Sequence, residues 1–355
     1  MVNQEKKMKR HTGLDILRII SMIMVVSLHI SGYSGVLNIQ YPKTQYFISW
    51  YLEALSFVGV NCFILISGFF LVDKSFDRRK LLGLWRQVIS YTIGIYIILI
   101  TLKLVEPTLT GTLICIFPIL TKAYWFISAY FCLYLLYPYI NVFIDNCKKN
   151  TMLNLIIILI ILLSIIPTFF VYFDWIESNN GYSFVWFICL YLIGAYIKKY
   201  NPQFLMYKKY WYLLIYFGIS LINVLTVYII EIVSLEINIA VDYRNYFFKY
   251  NSVLVLIASI SLFLFFKSIN INSVKSSKIL KVIADLSLGV YLLHMHPILK
   301  SLYKPVFLAE QLPFQKKYFT YYVTIIIVIF ALGILTEFIR RRLFEHFTAV
   351  KSSMR

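Results

Sequence analysis

The sequence predicts an all-α polytopic membrane helix bundle with about ten transmembrane helices and both termini in the cytoplasm. Three observations lead there. The 355 residues are 60% hydrophobic and only 14% charged, with a mean hydropathy of +0.76. Soluble domains run nearer half apolar and a quarter charged, so a soluble fold of this size could not cover so much apolar surface. The apolar residues also fall into long runs, and the basic residues gather in every second gap between them.

A spanning helix needs about 20 mostly apolar residues. The runs that meet or approach this are 14–36, 46–72, 84–105, 124–144, 152–172, 184–198, 210–232, 248–268, 281–299 and 318–339. The first follows Lys6, Lys7, Lys9 and Arg10, as a secretory leader would. It is long, carries Arg18 and His29, and has no small-residue cleavage site, so it reads as a span that stays in place. Linkers are short, which divides the chain into an N-terminal segment (1–13), a transmembrane domain (14–339) and a basic tail (340–355).

Orientation follows from Lys and Arg. With the N-terminus inside and the spans alternating, most of the 34 basic residues fall on the inner side. They include the Lys74–Arg86 loop, Lys148 and Lys149, Lys198 to Lys209, Lys267 to Lys281, and Arg340 to Arg342. That pattern obeys the positive-inside rule, and it explains the net charge of +18 without nucleic acid as a partner. Cys62, Cys115, Cys132, Cys147 and Cys189 have no metal-ligand spacing and read as packing residues, with no metal implied.

Ionisable residues inside a bilayer are costly and usually face a cavity or a partner. The first span has Asp15, Arg18 and His29. Arg18 and His29 stand three helical turns apart on one face, separated by about 16 Å of rise. Asp15 is placed to pair with Arg18 at i, i+3. The second span enters from the other side with Glu53, at a depth that should bring it to His29. A carboxylate there would fix the imidazole tautomer and raise its basicity, as a general base requires. In the ninth span Ser287, Tyr291 and His294 share a face, while His296 lies on the other side before Pro297 and reads as structural. Ser67-Gly68 closes the second span, with Gly68 allowing close backbone approach. Arg78, Arg79, Lys80 and Arg86 follow as a cationic rim. His11 and His346 carry no signal.

In order and spacing these residues resemble the acyltransferase-3 family, membrane enzymes that O-acylate bacterial surface polysaccharides and related glycans. Gly13-Leu14-Asp15-Ile16-Leu17-Arg18 through His29 resembles its Arg-x10-His signature. Gly59 to Phe69 resembles its second-span motif, Ala123-Tyr124-Trp125-Phe126-Ile127 through Pro138 its mid-chain segment, and Leu286 to His294 its late motif.

The resemblance implies His29 as catalytic base and an acyl-CoA donor held by Arg18, Arg78 and Arg79; the depth argument adds Glu53 to the catalytic pair, and position adds Asp15, Lys80 and Arg86 to the donor contacts. Ser67, Trp125, Tyr291 and His294 become candidates for lining the cavity or stabilising an oxyanion. The chain departs from the family's Arg-x-x-Arg element: Leu81 stands three residues after Arg78, and Leu82 after Arg79. The implied reaction moves an acyl group, acetyl foremost, to a hydroxyl of an extracytoplasmic glycan in the cell membrane, with no tightly bound cofactor. The rival expectation is a proton-coupled transporter using Arg18, His29, Glu53 and His294 as a relay, against which the sequence offers no inverted repeat. A non-catalytic partner in glycan assembly is a third.

Overall fold

The computed structural model describes residues 11–38, 43–170, 178–203, 207–237, 244–271, 273–302 and 317–353, with side chains described to residue 346. The basic residues Lys6, Lys7, Lys9, Arg10 and Arg355 lie outside them.

The described residues are helical, with turns between the helices and no strand. In chain order the helices are α1 (Thr12–Tyr33), α2 (Thr44–Ser56), α3 (Gly59–Leu71), α4 (Arg78–Thr101), α5 (Leu109–Ile116) and α6 (Trp125–Asn146). Then come α7 (Lys149–Ile160), α8 (Ile166–Phe169), α9 (Phe184–Tyr200), α10 (Lys209–Glu236), α11 (Val253–Lys267), α12 (Val274–His294) and α13 (Tyr318–Ser353). A π-helical turn, Ile161–Ile165, joins α7 to α8.

Local signals account for several starts and stops. Asp77 caps α4 by accepting from the Arg79 and Lys80 amides, and Thr108, Ser183 and Ser273 cap α5, α9 and α12 in the same way. Asn201 ends α9 in a left-handed conformation with φ 36°.

Among the described residues seven helical stretches are long and apolar enough to cross a membrane: α1, α2 with α3, α4, α6, α7 with α8, α10 and α13. The other three expected spans are helical but do not qualify. With 17 and 15 residues, α9 and α11 reach about 26 and 22 Å, short of a hydrocarbon core of about 30 Å. The ninth carries Lys275, Lys278, Lys281 and Asp285 and ends at His294. The segment 46–72 is not one helix either, since Phe57 and Val58 break it into α2 and α3. At the break Gly59 lies where a Cβ would come within 2.9 Å of the Ser21 carbonyl oxygen of α1. The short helix α5 occupies a stretch read as linker, and α13 runs on past 339 into the segment read as a tail.

Helix α1 is central and packs on α2, α3, α11, α12 and α13. A close backbone approach between α3 and the buried α9 uses two glycines, one on each helix. A Cβ at Gly68 would collide with the Tyr191 carbonyl, and one at Gly194 with the Leu65 carbonyl. Small residues at such a seam allow tight helix packing where lipid offers no hydrophobic drive. The outward face of α10 is an apolar stripe of Leu214, Phe217, Leu221, Leu225 and Ile229, all exposed, as a lipid-facing helix requires.

Candidate functional site

A cavity of about 210 Å³ runs along one face of α1, with Arg18, Met22, Val25 and His29 in its wall. These four follow the i, i+4, i+7, i+11 rhythm of a single helical stripe. Helix α3 adds Val60, Phe63 and Ser67, α6 adds Trp125, Phe126 and Tyr130, and α12 adds Ser287, Leu288 and Tyr291. The arginine and the imidazole therefore face one internal space.

At one end the Arg18 guanidinium lies 3.8 Å from the Asp15 carboxylate and 5.3 Å from the centre of the Phe70 ring. The expected i, i+3 pair is present, and the Arg18 side chain keeps 31% of its surface exposed. At the other end His29 Nδ1 is 3.0 Å from His294 Nε2. His294 Nδ1 is in turn 2.6 Å from the Val290 carbonyl oxygen. A carbonyl only accepts, so His294 Nδ1 carries a hydrogen and donates it there. In the neutral ring His294 Nε2 is then an acceptor, and His29 Nδ1–H donates to it. The chain of bonds leaves His29 Nε2 with its lone pair, the state a general base needs.

Glu53 is not part of this arrangement. Its carboxylate accepts from Ser31 Oγ, on the far side of α1 from His29. Residues 29 and 31 are about 200° apart around a helix, so α2 meets the face that carries Ser31. Glu53 stands beside a buried seam in which Ser27 Oγ shares a hydrogen with Tyr322 Oη at 2.7 Å and accepts one from Ser56 Oγ at 3.0 Å, and it lies near enough to Tyr182 and Tyr250 to act on them electrostatically. The expectation of equal depth fixed no rotation about the helix axis, and that rotation sends the two groups to different neighbours.

Ser67 and Trp125 line the cavity as expected, but Ser67 Oγ donates to the Phe63 carbonyl one turn earlier, at 2.9 Å. Tyr291 is 4% exposed, and its hydroxyl has no hydrogen-bond partner among the described residues. His294 is the partner of a wall residue and not itself part of the wall. Arg78, Arg79, Lys80 and Arg86 are exposed on the first turns of α4 and do not line the cavity, although Leu84 of the same helix does. His296 is structural: its Nε2 donates to the Thr92 carbonyl at 3.2 Å, and its Nδ1 accepts from the Leu299 amide at 3.1 Å.

Two polar wall residues had no part in the sequence analysis, Tyr130 and Tyr250. Tyr130 follows Phe126 by one turn of α6, so helical periodicity could have found it. Tyr250 comes from the turn before α11, held by a 2.8 Å bond from Asn61 Nδ2 to its carbonyl. Only tertiary structure brings it in.

No curated protein and no solved structure matches the chain. The acyltransferase domain that defines the acyltransferase-3 family matches residues 11–338, nearly the whole sequence, with Arg18, His29, Trp125 and His294 all inside the match. The chain is a multi-helix acyltransferase of membrane character, and it belongs to the acyltransferase-3 family.

Proposed function

We propose that this protein transfers an acyl group, acetyl foremost, from acyl-CoA to a hydroxyl of a glycan acceptor, with His29 as the general base. The observation that carries the reading is the single cavity with Arg18 at one end and His29 at the other.

The dimensions suit a thioester donor. Phosphates do not shed water readily inside a bilayer, so the charged part of the donor stops at Arg18 in charge-assisted hydrogen bonds. From its phosphate ester to its sulfur, a pantetheine arm has about twelve bonds, equivalent to four extended peptide residues, or about 14 Å. The rise between Arg18 and His29 is about 16 Å. An arm anchored at the guanidinium tip thus brings its thioester to the imidazole. The exposed Arg78, Arg79, Lys80 and Arg86 add a general attraction for the nucleotide end.

In the reaction His29 Nε2 takes the acceptor's hydroxyl proton as that oxygen attacks the thioester carbonyl. The Tyr291 hydroxyl is free to donate to the oxyanion that develops. The carbon–sulfur bond then breaks, and the imidazolium returns the proton to the departing sulfur. Ester and free thiol leave, and the enzyme ends in its starting protonation state. His294 holds the His29 tautomer throughout and touches neither substrate. The Arg18 end faces the cytoplasm, where acyl-CoA is, and the acceptor arrives at the His29 end.

The test is purified protein in liposomes with acyl-labelled acetyl-CoA and an oligosaccharide. Label in the saccharide ester, lost in His29→Ala, is the expected result. Equal label with His29→Ala removes the base assignment, and uptake of unmodified saccharide without label transfer favours a carrier.

A further inference from the structure

Beside the His29 end of the cavity stands a group of aromatic rings that the proton-transfer chemistry does not use. Trp125 and Tyr250 are wall residues with ring centres 5.5 Å apart. Tyr182, just before α9, closes the group at 4.5 Å from Trp125 and 4.9 Å from Tyr250. Tyr250 is buried, Trp125 is half-buried, and Tyr182 keeps 41% of its surface exposed. The three therefore step from the outside surface to the cavity.

The backbone that presents Tyr182 is unusual. Asn179, Asn180 and Gly181 are consecutive left-handed residues, with φ of 50°, 53° and 83°. L-residues adopt that region at a cost, and asparagine and glycine are the two that tolerate it best. The turn is fastened to the loop that carries Tyr250, whose amide donates to the Asn180 carbonyl at 3.1 Å. A Cβ on Gly181 would come within 2.7 Å of the Asn251 amide nitrogen. Two loops are thus locked together so that both tyrosines stand against Trp125.

A polar group points to a ligand there as well. The hydrogen of the buried Tyr291 hydroxyl, in the same wall, has no acceptor among the described residues. An aromatic surface with an unspent donor suits a molecule with apolar C–H faces and a hydroxylated edge. Ring faces carry negative potential and attract the C–H edges of such a molecule, while the donor fixes its orientation. A pyranose ring has that chemistry, whereas an acyclic polyol lacks the rigid face.

We propose that Tyr182, Trp125 and Tyr250 form the acceptor subsite, with Tyr182 as its outer rim stacking on a pyranose ring whose hydroxyl is thereby aimed at His29. This rests on the acyl-transfer reading and assigns the residues that hold and orient its acceptor.

The experiment compares two acceptors, a pyranoside oligosaccharide and an acyclic polyol of similar hydroxyl count, with labelled acetyl-CoA. The wild-type protein is expected to favour the pyranoside in kcat/KM. Tyr182→Ala is expected to reduce that preference about tenfold, through KM for the pyranoside, as the loss of one stacking contact predicts. Tyr182→Phe keeps the ring and retains the preference. An unchanged preference in Tyr182→Ala overturns the proposal. So does a fall that hits both acceptors equally, which would make Tyr182 merely structural. Failure of the acyl-transfer reading has a different signature: no label in either acceptor, or label that survives His29→Ala.

Discussion

Replacing His294 by Ala removes the acceptor that lies 3.0 Å from His29 Nδ1 and leaves the ring itself in place. A buried donor deprived of its partner costs about 1–3 kcal/mol. The ring can lessen that cost by leaning on the Val25 carbonyl one turn earlier, by moving, or by shifting its hydrogen to Nε2, and the last two changes take the lone pair away from the cavity. Each 1.36 kcal/mol is tenfold in rate, so kcat is expected to fall roughly 10- to 100-fold. Removing the base itself, in His29→Ala, should cost more, in the range of 10² to 10⁴ typical of general-base catalysis. Because His294 contributes nothing to the cavity wall, KM for donor and acceptor should hold while kcat drops. His294→Gln restores a carbonyl acceptor and should recover part of the loss. The assay is steady-state transfer from labelled acetyl-CoA, paired with ¹⁵N spectra of labelled histidine, which report both rings as Nδ1–H tautomers in the wild-type protein. A wild-type kcat in His294→Ala, or an Nε2–H signal for His29, refutes the tautomer argument.

Other substitutions separate the donor end from the scaffold. Arg18→Ala should raise KM for acetyl-CoA about 10- to 100-fold, since hydrogen bonds to charged groups contribute about 1.5–3 kcal/mol, and titration of the donor checks it. Arg78→Ala and Arg79→Ala, at exposed positions, should each raise that KM less than about fivefold, with an effect that fades at high salt. Gly68→Val should lower the thermal midpoint of the solubilised protein, because overpacking at the Tyr191 carbonyl costs about 1–3 kcal/mol or more. Glu337→Ala should destabilise by about 3 kcal/mol without a specific effect on KM: the buried carboxylate accepts from Arg340 at 2.7 Å, Arg341 at 2.8 Å and Tyr91 at 3.1 Å.

What could be read from the sequence is what lies on one helix. Asp15, Arg18 and His29 form a stripe by arithmetic on 3.6 residues per turn, and the structure puts Arg18 and His29 on the cavity with Asp15 paired to Arg18. Ser287 and Tyr291 follow the same logic on α12. What failed depends on how two helices turn toward each other. Nothing local says whether α2 meets the His29 face of α1 or the Ser31 face, and Glu53 was assigned to the wrong one. The His29–His294 contact joins residues 265 apart and rests on α1 packing beside α12. Tyr182 and Tyr250 come from turns, where hydrophobic periodicity has nothing to report. The second span looked continuous because Phe57 and Val58 are apolar, and no proline marks the break.

The exchange of Glu53 for His294 changes the electrostatics of the site. A carboxylate beside His29 would fix a negative charge next to the reacting carbonyl, and ionisable groups in a bilayer cost roughly 2.5–3.5 kcal/mol on insertion scales. A neutral relay of imidazole, imidazole and carbonyl holds one tautomer with no net charge at rest. Charge appears at His29 only when it takes the acceptor's proton, the step in which the thioester oxygen becomes negative. The new cation and the new anion then stand close together in a space of low dielectric, where their attraction is strongest. The lasting charge of the cavity wall is left to Arg18, at the end that remains partly exposed. That division suits a donor whose charge is all at one end and whose reactive group rides on a long neutral arm.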